Sequence, residues 1–386
     1  MRALIVEQGW SRGALAAVRA LSAAGWTVGL ASAERRGLAR ASRSCRRRHL
    51  IRPLQPVDAF LDSVTAAVRD GGYDVVFGAG EAEVLALSAA RAGIGAIFPH
   101  APHPVVLRAL DKVELADAAT GVGIAVPDLT EAAAIGDETT PVIIKARMHA
   151  RPDIAGSPPR IDTNLITGRT AALRRVAEIR AVGGDPEVQV FHEGRLLAYS
   201  AVRGPGEVGV VADCMQLASH IWPPGAGASC RAVTVAVDED LAGRVAALLD
   251  ELDWFGLAEL QFIVGADRVP RLIDLNGRFY GSLSLAVAAG ANLPAAWAAL
   301  AVGDAPAPTR ARAGVRYQWG AADARRALRE RRGGLVRDLA GAAGYAVGAT
   351  HSVASLTDPG PALARLVQTA VTGAARARRG RAHVSR

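Results

Sequence analysis

The stretch RLIDLNGRFYGS (271–282) sets an acid, an amide and a guanidinium at alternate positions: Asp274, Asn276 and Arg278. In an extended strand alternate side chains point to one side, so the three would share a face. The run that follows, 279–303, carries no charge, which places the end of this strand inside the protein. Just upstream, GLAELQFIV (256–264) reads as a partner strand joined through GADRVP (265–270). Glu259 and Gln261 share a face of that strand. If the two polar faces coincide, two carboxylates and two amides converge beside one arginine. Oxygen donors of modest negative charge, with room for water and phosphate, suit magnesium rather than zinc. The competing reading is an exposed amphipathic hairpin, which the apolar continuation disfavours.

Outward from the hairpin, residues 1–105 alternate strand and helix. ALIVE (3–7), WTVGLAS (26–32), YDVVFGAG (73–80) and IGAIFPH (94–100) are strand-like, with helices over 12–25, 57–70 and 81–92. Such alternation predicts a parallel sheet covered on both faces, with ligands off the carboxyl ends of its strands. The loops EQGWSRG (7–13) and GAGEAE (78–83), with Glu81, are therefore candidate substrate contacts. A helix from 105, the extended AVPDL (125–129), the strand PVIIKARM (141–148), a Gly/Pro/Ser loop over 151–162 and a helix over 171–182 follow. A strand–turn–strand hairpin over 186–204, about Glu193–Gly194, completes a small α+β lobe. A second lobe carries VGVVADCMQLAS (208–219), the loop WPPGAGASC (222–230), RAVTVAV (231–237), a helix over 238–252 and the opening hairpin. From about 306 the composition turns to Pro, Ala and Arg, ending in a basic, partly amphipathic helix (362–386) read as a solvated face. Segment 279–303 has the length of a spanning helix, but Gly290, Asn292 and Pro294 at its centre make it a loop between two buried helices.

Half of the 386 residues are apolar, enough for two or three domains with sizeable cores. Three cysteines are too few and too scattered for a disulfide framework or a zinc site, and the start, MRALIVEQGW, lacks the long apolar stretch of a signal peptide. A cytoplasmic setting is expected. The net charge of +8 is built from 43 arginines and only two lysines, Lys112 and Lys145. A lysine that persists against such a bias either points to a place where a compact ammonium is needed or persists by chance. Lys112 lies on the helix before AVP and Lys145 ends a strand; each is costly to bury without an anion. Magnesium and two lysines make a triphosphate the natural guest. No GxxxxGK[ST], HRD or DFG is present, so the phosphate holder is of another type.

This order of segments resembles the ATP-grasp superfamily, in its carboxylate–amine ligase branch related to carbamoyl-phosphate synthase. The resemblance runs from the first strand to about 305 and is carried by RALDKVELADAATGVGIAVP (108–127), PVIIKARM, EVQVFHEG (187–194), WPPGAGAS (222–229) and, most specifically, the hairpin with its continuation. It implies an α/β plus α+β architecture. A Rossmann-like pre-ATP-grasp domain (1–105) precedes a two-lobed ATP-grasp domain (106–305, small lobe about 120–195) and a helical basic C-terminal extension (306–386). It implies ATP with two magnesium ions, manganese being a substitute, on Gln261, Asp274 and Asn276. Arg278 falls on the arginine that meets the transferred phosphate and acyl group, and Lys112 and Lys145 on the lysines of the α/β-phosphates, which makes Arg278 and Lys145 the catalytic pair. Gln189, Val190 and His192 match the hinge that reads adenine, the last two through backbone groups. There are departures. Asp274 stands for the usual Glu, Gln261 for a carboxylate that Glu259 could replace, no proline follows Lys145, the loop 149–160 has a single glycine, and Leu196 stands where a ribose-binding acid is common.

The resemblance implies a reaction: a carboxylate attacks the γ-phosphate of ATP, and an amine displaces phosphate from the acylphosphate. The expected partners are small-molecule carboxylate and amine substrates, with no specific nucleic acid and no membrane span, and with a homodimer allowed for. Two other classes stand beside this. One is a nucleotide-binding regulatory protein of the same fold with reduced catalysis; the other is a nicotinamide enzyme, against which the missing G-x-G-x-x-G speaks.

Overall fold

The structure is a computed structural model of the 386-residue chain. It describes all residues except Pro159, Ser385 and Arg386, with the backbone alone after Thr372. The chain opens with β1 (Arg2–Glu7), α1 (Arg12–Ala23), β2 (Thr27–Ser32), β3 (Cys45–Leu50), α2 (Val57–Gly71), β4 (Val75–Gly78) and α3 (Glu81–Ala89). Its four strands form a parallel sheet in the order β3-β2-β1-β4, with Leu4, Ile5, Val76 and Phe77 wholly buried. The expected strand at 94–100 supplies only a bridge from Ile97 to Val75. Gly95 in a left-handed conformation and Pro99, which has no N–H, leave too short a run for a ladder.

The helix expected from 105 is two helices, α4 (His103–Leu110) and α5 (Lys112–Gly121). Asp111 between them is extended, and its carboxylate accepts the N–H groups of Val113 and Glu114. This N-cap restarts the helix and sets Lys112 at its first residue. β5 (Pro141–Ala146), β6 (Asn164–Thr167), α6 (Arg169–Ala181) and β7 (Pro186–Val190) make an antiparallel sheet of order β6-β5-β7. Its own small core includes Val142, Ile144, Ile179 and Val188.

The rest of the chain comprises β8 (Arg195–Arg203), β9 (Val210–Trp222), β10 (Ala228–Val235), α7 (Glu239–Glu251), β11 (Gly256–Val264), β12 (Pro270–Asn276), α8 (Leu283–Ala288), α9 (Leu293–Ala301), β13 (Thr309–Arg310), β14 (Arg316–Gln318), α10 (Gly320–Glu330), α11 (Leu335–Ala346), β15 (Thr350–His351) and α12 (Gly360–Val384). These strands form a large sheet, β12-β11-β8-β9-β10-β14-β15, with β13 alongside β9. Here the sequence reading of 186–204 as a hairpin fails. β7 pairs with β5, whereas β8 lies between β11 and β9, so residues 191–194 cross from one sheet to the other. Alternation specifies a strand and its faces but not its partner.

Two further differences concern the C-terminal part. Residues after 306 are more than a helical appendage, because β14 pairs with β10 and Arg326 of α10 is fully buried against Asp323 and Asp338. On α12 the apolar side chains Leu363, Leu366, Val367 and Val371 are exposed, so its described part is not a plain polar face. The last residues of the basic tail, Ser385 and Arg386, lie outside the described residues, as do the side chains of 373–384. Segment 279–303 folds as expected: α8 and α9 flank Gly290, and Asn292 caps α9 by accepting from the Ala295 N–H. No helix among the described residues is long and apolar enough to cross a membrane.

Candidate active site

A cleft of about 800 Å³ opens between the carboxyl ends of β1 and β4, the three-stranded sheet and the β11–β12 hairpin. In the hairpin, Glu259 stands opposite Asn276 and Gln261 opposite Asp274, so the two polar faces do coincide. Glu259 is the hub of the four: its Oε2 accepts from Gln261 at 3.2 Å and from Asn276 at 3.0 Å. Asn276 Oδ1 accepts from Arg278 at 2.6 Å. Packing locks this end. Phe279 is buried with its ring 5.5 Å from those of both Phe77 and Trp297, tying Arg278 to β4 and α9. A Cβ on Gly277 would lie 2.2 Å from Trp254, so only glycine lets the chain pass from Asn276 to Arg278.

All nine residues singled out by sequence line this cleft: Lys112, Lys145, Gln189, Val190, His192, Gln261, Asp274, Asn276 and Arg278. Lys112 donates to Asp274 Oδ1 at 2.8 Å, and His149 Nε2 lies 3.6 Å from Oδ2. Burial alone would raise the Asp274 carboxyl, but Lys112 and His149 hold it well below the usual carboxylate range. Lys145 donates to the Ile273 carbonyl at 3.2 Å and stands 3.2 Å from Glu187. Burial drives its ammonium down to about 8, against the pull of Glu187. Burial likewise pushes Glu259 up to about 7 although Arg278 opposes the shift.

The hinge residues differ among themselves. Gln189 is buried and donates to Glu187, while the Val190 N–H is taken by the Asp128 carbonyl at 2.9 Å and so is not free to meet a base. His192 Nε2 is buried in the cleft wall without a hydrogen-bond partner among the described residues. Glu187 and His149 were missed in the sequence. Glu187 could have been found by its alternation with Gln189 on one strand face; His149 gives no local signal.

Oxygen donors alone are offered at the hairpin, and the Oε1 atoms of Glu259 and Gln261 make no hydrogen bond among the described residues. Hard oxygen ligands fit magnesium, which keeps waters and substrate phosphates in its shell. No cluster of three or more His, Cys, Asp or Glu forms a metal cage among the described residues, so a cation here would rely on such outside ligands.

The segment 226–322, which runs from the β9–β10 turn into α10 and contains the whole hairpin, matches the family described as ATP-grasp in the biosynthetic pathway with Ter operon. A search of curated proteins finds no match to the sequence. Solved structures are similar in fold. The biotin carboxylase domain of Hydrogenobacter thermophilus 2-oxoglutarate carboxylase, in complex with MgADP, ADP and bicarbonate, has a TM-score of 0.61 at 13% identity over 82% of this chain and 73% of that one. The Staphylococcus aureus N5-carboxyaminoimidazole synthetase with ADP gives 0.59 at 11% identity over 82% and 80%. The L-amino acid ligase of Bacillus licheniformis gives 0.55 at 15% identity over 78% and 74%. The chain is thus similar in fold to these three proteins, and its segment 226–322 matches an ATP-grasp family.

Proposed function

We propose that the chain is an ATP-dependent carboxylate–amine ligase that forms an amide or peptide bond through an acylphosphate, releasing ADP and phosphate. One observation carries the reading. The β11–β12 register gathers Glu259, Gln261, Asp274 and Asn276 on one face beside Arg278, and the only two lysines are buried in the same cleft. Buried ammonium groups need anions, which a triphosphate supplies. In this reading 1–105 is the pre-ATP-grasp domain, 106–305 the ATP-grasp domain with its small lobe at about 120–195, and 306–386 the C-terminal extension. The protein works in the cytoplasm, where its three buried free cysteines stay reduced.

Two magnesium ions, or manganese, would be held by Asp274, Glu259 and the amide oxygens of Gln261 and Asn276, and when bound they neutralise charge on the transferring phosphoryl group. Lys112 and Lys145 bind the phosphates, and Lys112, which donates to Asp274 Oδ1 in the free protein, would exchange that carboxylate for a phosphate. Gln189, His192 and the Val190 carbonyl face the base. Arg278 pairs with a substrate carboxylate or phosphoryl oxygen and holds the carboxylate for attack on the γ-phosphorus. ADP leaves, the neutral amine nitrogen bonds to the acyl carbon, the bond from that carbon to the phosphate oxygen breaks, and the surplus amine proton leaves with the phosphate. The loop 149–160 and the small lobe shield the acylphosphate from water.

Screening amino acids, dipeptides and small carboxylates with amines for phosphate release tests this, with ADP and AMP measured together. Amine-dependent ADP and phosphate are expected; AMP would overturn the acylphosphate route. A second reading, a regulator that binds nucleotide without turnover, is favoured by two contacts: Asp274 is already held by Lys112 and His149. Nucleotide binding with no turnover on any acid–amine pair would support it.

A further inference from the structure

We infer that α12 docks the protein onto an anionic bilayer surface, its outward apolar stripe entering the headgroup boundary and its arginines meeting the lipid phosphates. Such docking is independent of the ligase reading. The root of α12 is fixed to the body of the protein by Asp358. That carboxylate accepts from Ser42 Oγ at 2.6 Å, from the Arg43 N–H at 3.0 Å and from Arg19 Nε at 2.8 Å. Beyond it, the face of α12 turned inward is that of Pro361, Ala364, Arg365 and Gln368, each buried or half-buried. Arg365 lies 5.7 Å over the Trp10 ring.

The opposite face is Leu363, Leu366, Val367, Ala370 and Val371, at the i, i+3, i+4, i+7, i+8 spacing of one helical stripe. Its four large side chains are between 52% and 66% exposed. A helix that packs on its own protein ordinarily turns such a stripe inward; here an arginine goes in and the leucines stay out. Single exposed leucines are ordinary, but a continuous stripe marks a surface that binds something.

Charge and composition decide what covers it. After Asp358 the sequence has no aspartate or glutamate and six arginines, five of them beyond Thr372. Arg43, at the root of the helix, is exposed as well. A second copy docked stripe to stripe would bring together two segments that carry only positive charge, which their repulsion opposes. Nucleic acid would meet the arginines but offers the stripe a backbone of phosphate and sugar. Protein interfaces are commonly anchored by aromatic or methionine side chains, and 359–386 has no Phe, Tyr, Trp or Met. An anionic bilayer suits both features: the aliphatic side chains settle at the acyl boundary while the arginines meet lipid phosphates.

Flotation of the full chain with vesicles tests this, using phosphatidylcholine alone and phosphatidylcholine mixed with phosphatidylglycerol. Binding to the mixed vesicles should be about tenfold tighter than to phosphatidylcholine alone, and should weaken severalfold as salt is raised. Leu363→Gln/Leu366→Gln/Val367→Gln leaves the charge untouched and should lower binding to the mixed vesicles about tenfold. Arg378→Gln/Arg379→Gln/Arg381→Gln should remove most of the preference for anionic lipid. Should the stripe variant lose its thermal transition, Leu366→Gln alone replaces it, with a loss of about threefold expected. Equal binding to both kinds of vesicle overturns the inference. So does a stripe variant that binds as the wild type does, since charge alone would then hold the protein. No binding to either kind by a monomeric chain leaves the face to another protein and overturns it too. Sedimentation velocity without vesicles covers the second copy: a dimer that the stripe variant dissolves overturns bilayer docking. Tighter binding to a duplex oligonucleotide than to the mixed vesicles, unchanged in the stripe variant, assigns the tail to nucleic acid and does the same. None of these measurements uses nucleotide, so they stand whether or not the ligase reading does.

Discussion

Lys145 is 4% exposed, with Glu187 at 3.2 Å and an acceptor in the Ile273 carbonyl. Burial lowers its ammonium from 10.5 to about 8. Between those values the folded free protein holds this amine largely neutral, whereas the unfolded chain holds it charged. Its contribution to stability is thus present above the unfolded value and lost as pH falls through about 8. A bound triphosphate restores the charged form, so at pH 9 binding draws a proton from solvent. Calorimetric titration of Mg-ADP in buffers of different ionisation enthalpy should show that uptake, and Lys145→Met should abolish it and weaken binding at least tenfold, about 1.4 kcal/mol. A binding heat independent of buffer would remove Lys145 from the phosphate contacts. Asp274 needs more care. Removing its carboxylate by Asp274→Ala strands the buried Lys112 ammonium and should cost about 3–5 kcal/mol of stability. Asp274→Asn keeps the shape and a hydrogen bond but removes the charge a metal needs. It should cut ADP formation at least a hundredfold with a smaller fall in melting temperature than the alanine variant. Turnover at the wild-type rate in Asp274→Asn would dismiss the metal assignment.

At the scale of elements, the hairpin was legible because two independent patterns agreed. A period of two set the polar face, and the uncharged stretch behind it set the depth. The structure adds what locks the end of that strand: Phe279 between Phe77 and Trp297, and Gly277 under Trp254. Phe279→Ala leaves a cavity between the two sheets and should cost about 3–5 kcal/mol, seen as an earlier denaturation midpoint, with a loss of acid-substrate affinity because Arg278 loses its anchor. An unchanged midpoint would mean that the aromatic cluster does not carry the junction. The break between α4 and α5 was legible in principle, since Asp111 followed by Glu114 is an N-cap pattern, but it lay inside a run of helix-forming residues. The pairing of β7 and β8 was not legible, because a strand's partner is decided by the packing of distant segments. The buried Arg326 was hidden by composition: among 43 arginines nothing local distinguishes the one that sits between two aspartates.

Across the whole molecule, the cleft is bounded by three sheets whose strands come from distant stretches of chain, and its closure depends on segments that bridge them. Gly225, in the β9–β10 turn, meets Leu165 of β6 so closely that a Cβ would come within 2.3 Å of that side chain, which brings the large sheet against the small one. On the other side, Gln55 clasps the loop 149–160 with both ends of its amide. Its Nε2 donates to the Ile154 carbonyl at 2.7 Å, and its Oε1 accepts the Gly156 N–H at 3.0 Å. This pair of bonds links the N-terminal parallel-sheet unit to the loop that carries Arg160 into the cleft wall. Gln55→Ala removes both bonds at a site remote from the hairpin, and each such bond is worth about 1 kcal/mol. The loop should then open more often, and tryptic cleavage after Arg160 should quicken severalfold in the nucleotide-free variant while the melting temperature moves little. If the loop shields an acylphosphate, the same variant should also release more phosphate per amide formed, since water gains access before the amine attacks. Cleavage rates equal to those of the wild type would show that the clasp does not hold the loop. Faster cleavage without extra phosphate release would confine Gln55 to anchoring the loop, with the water barrier lying elsewhere.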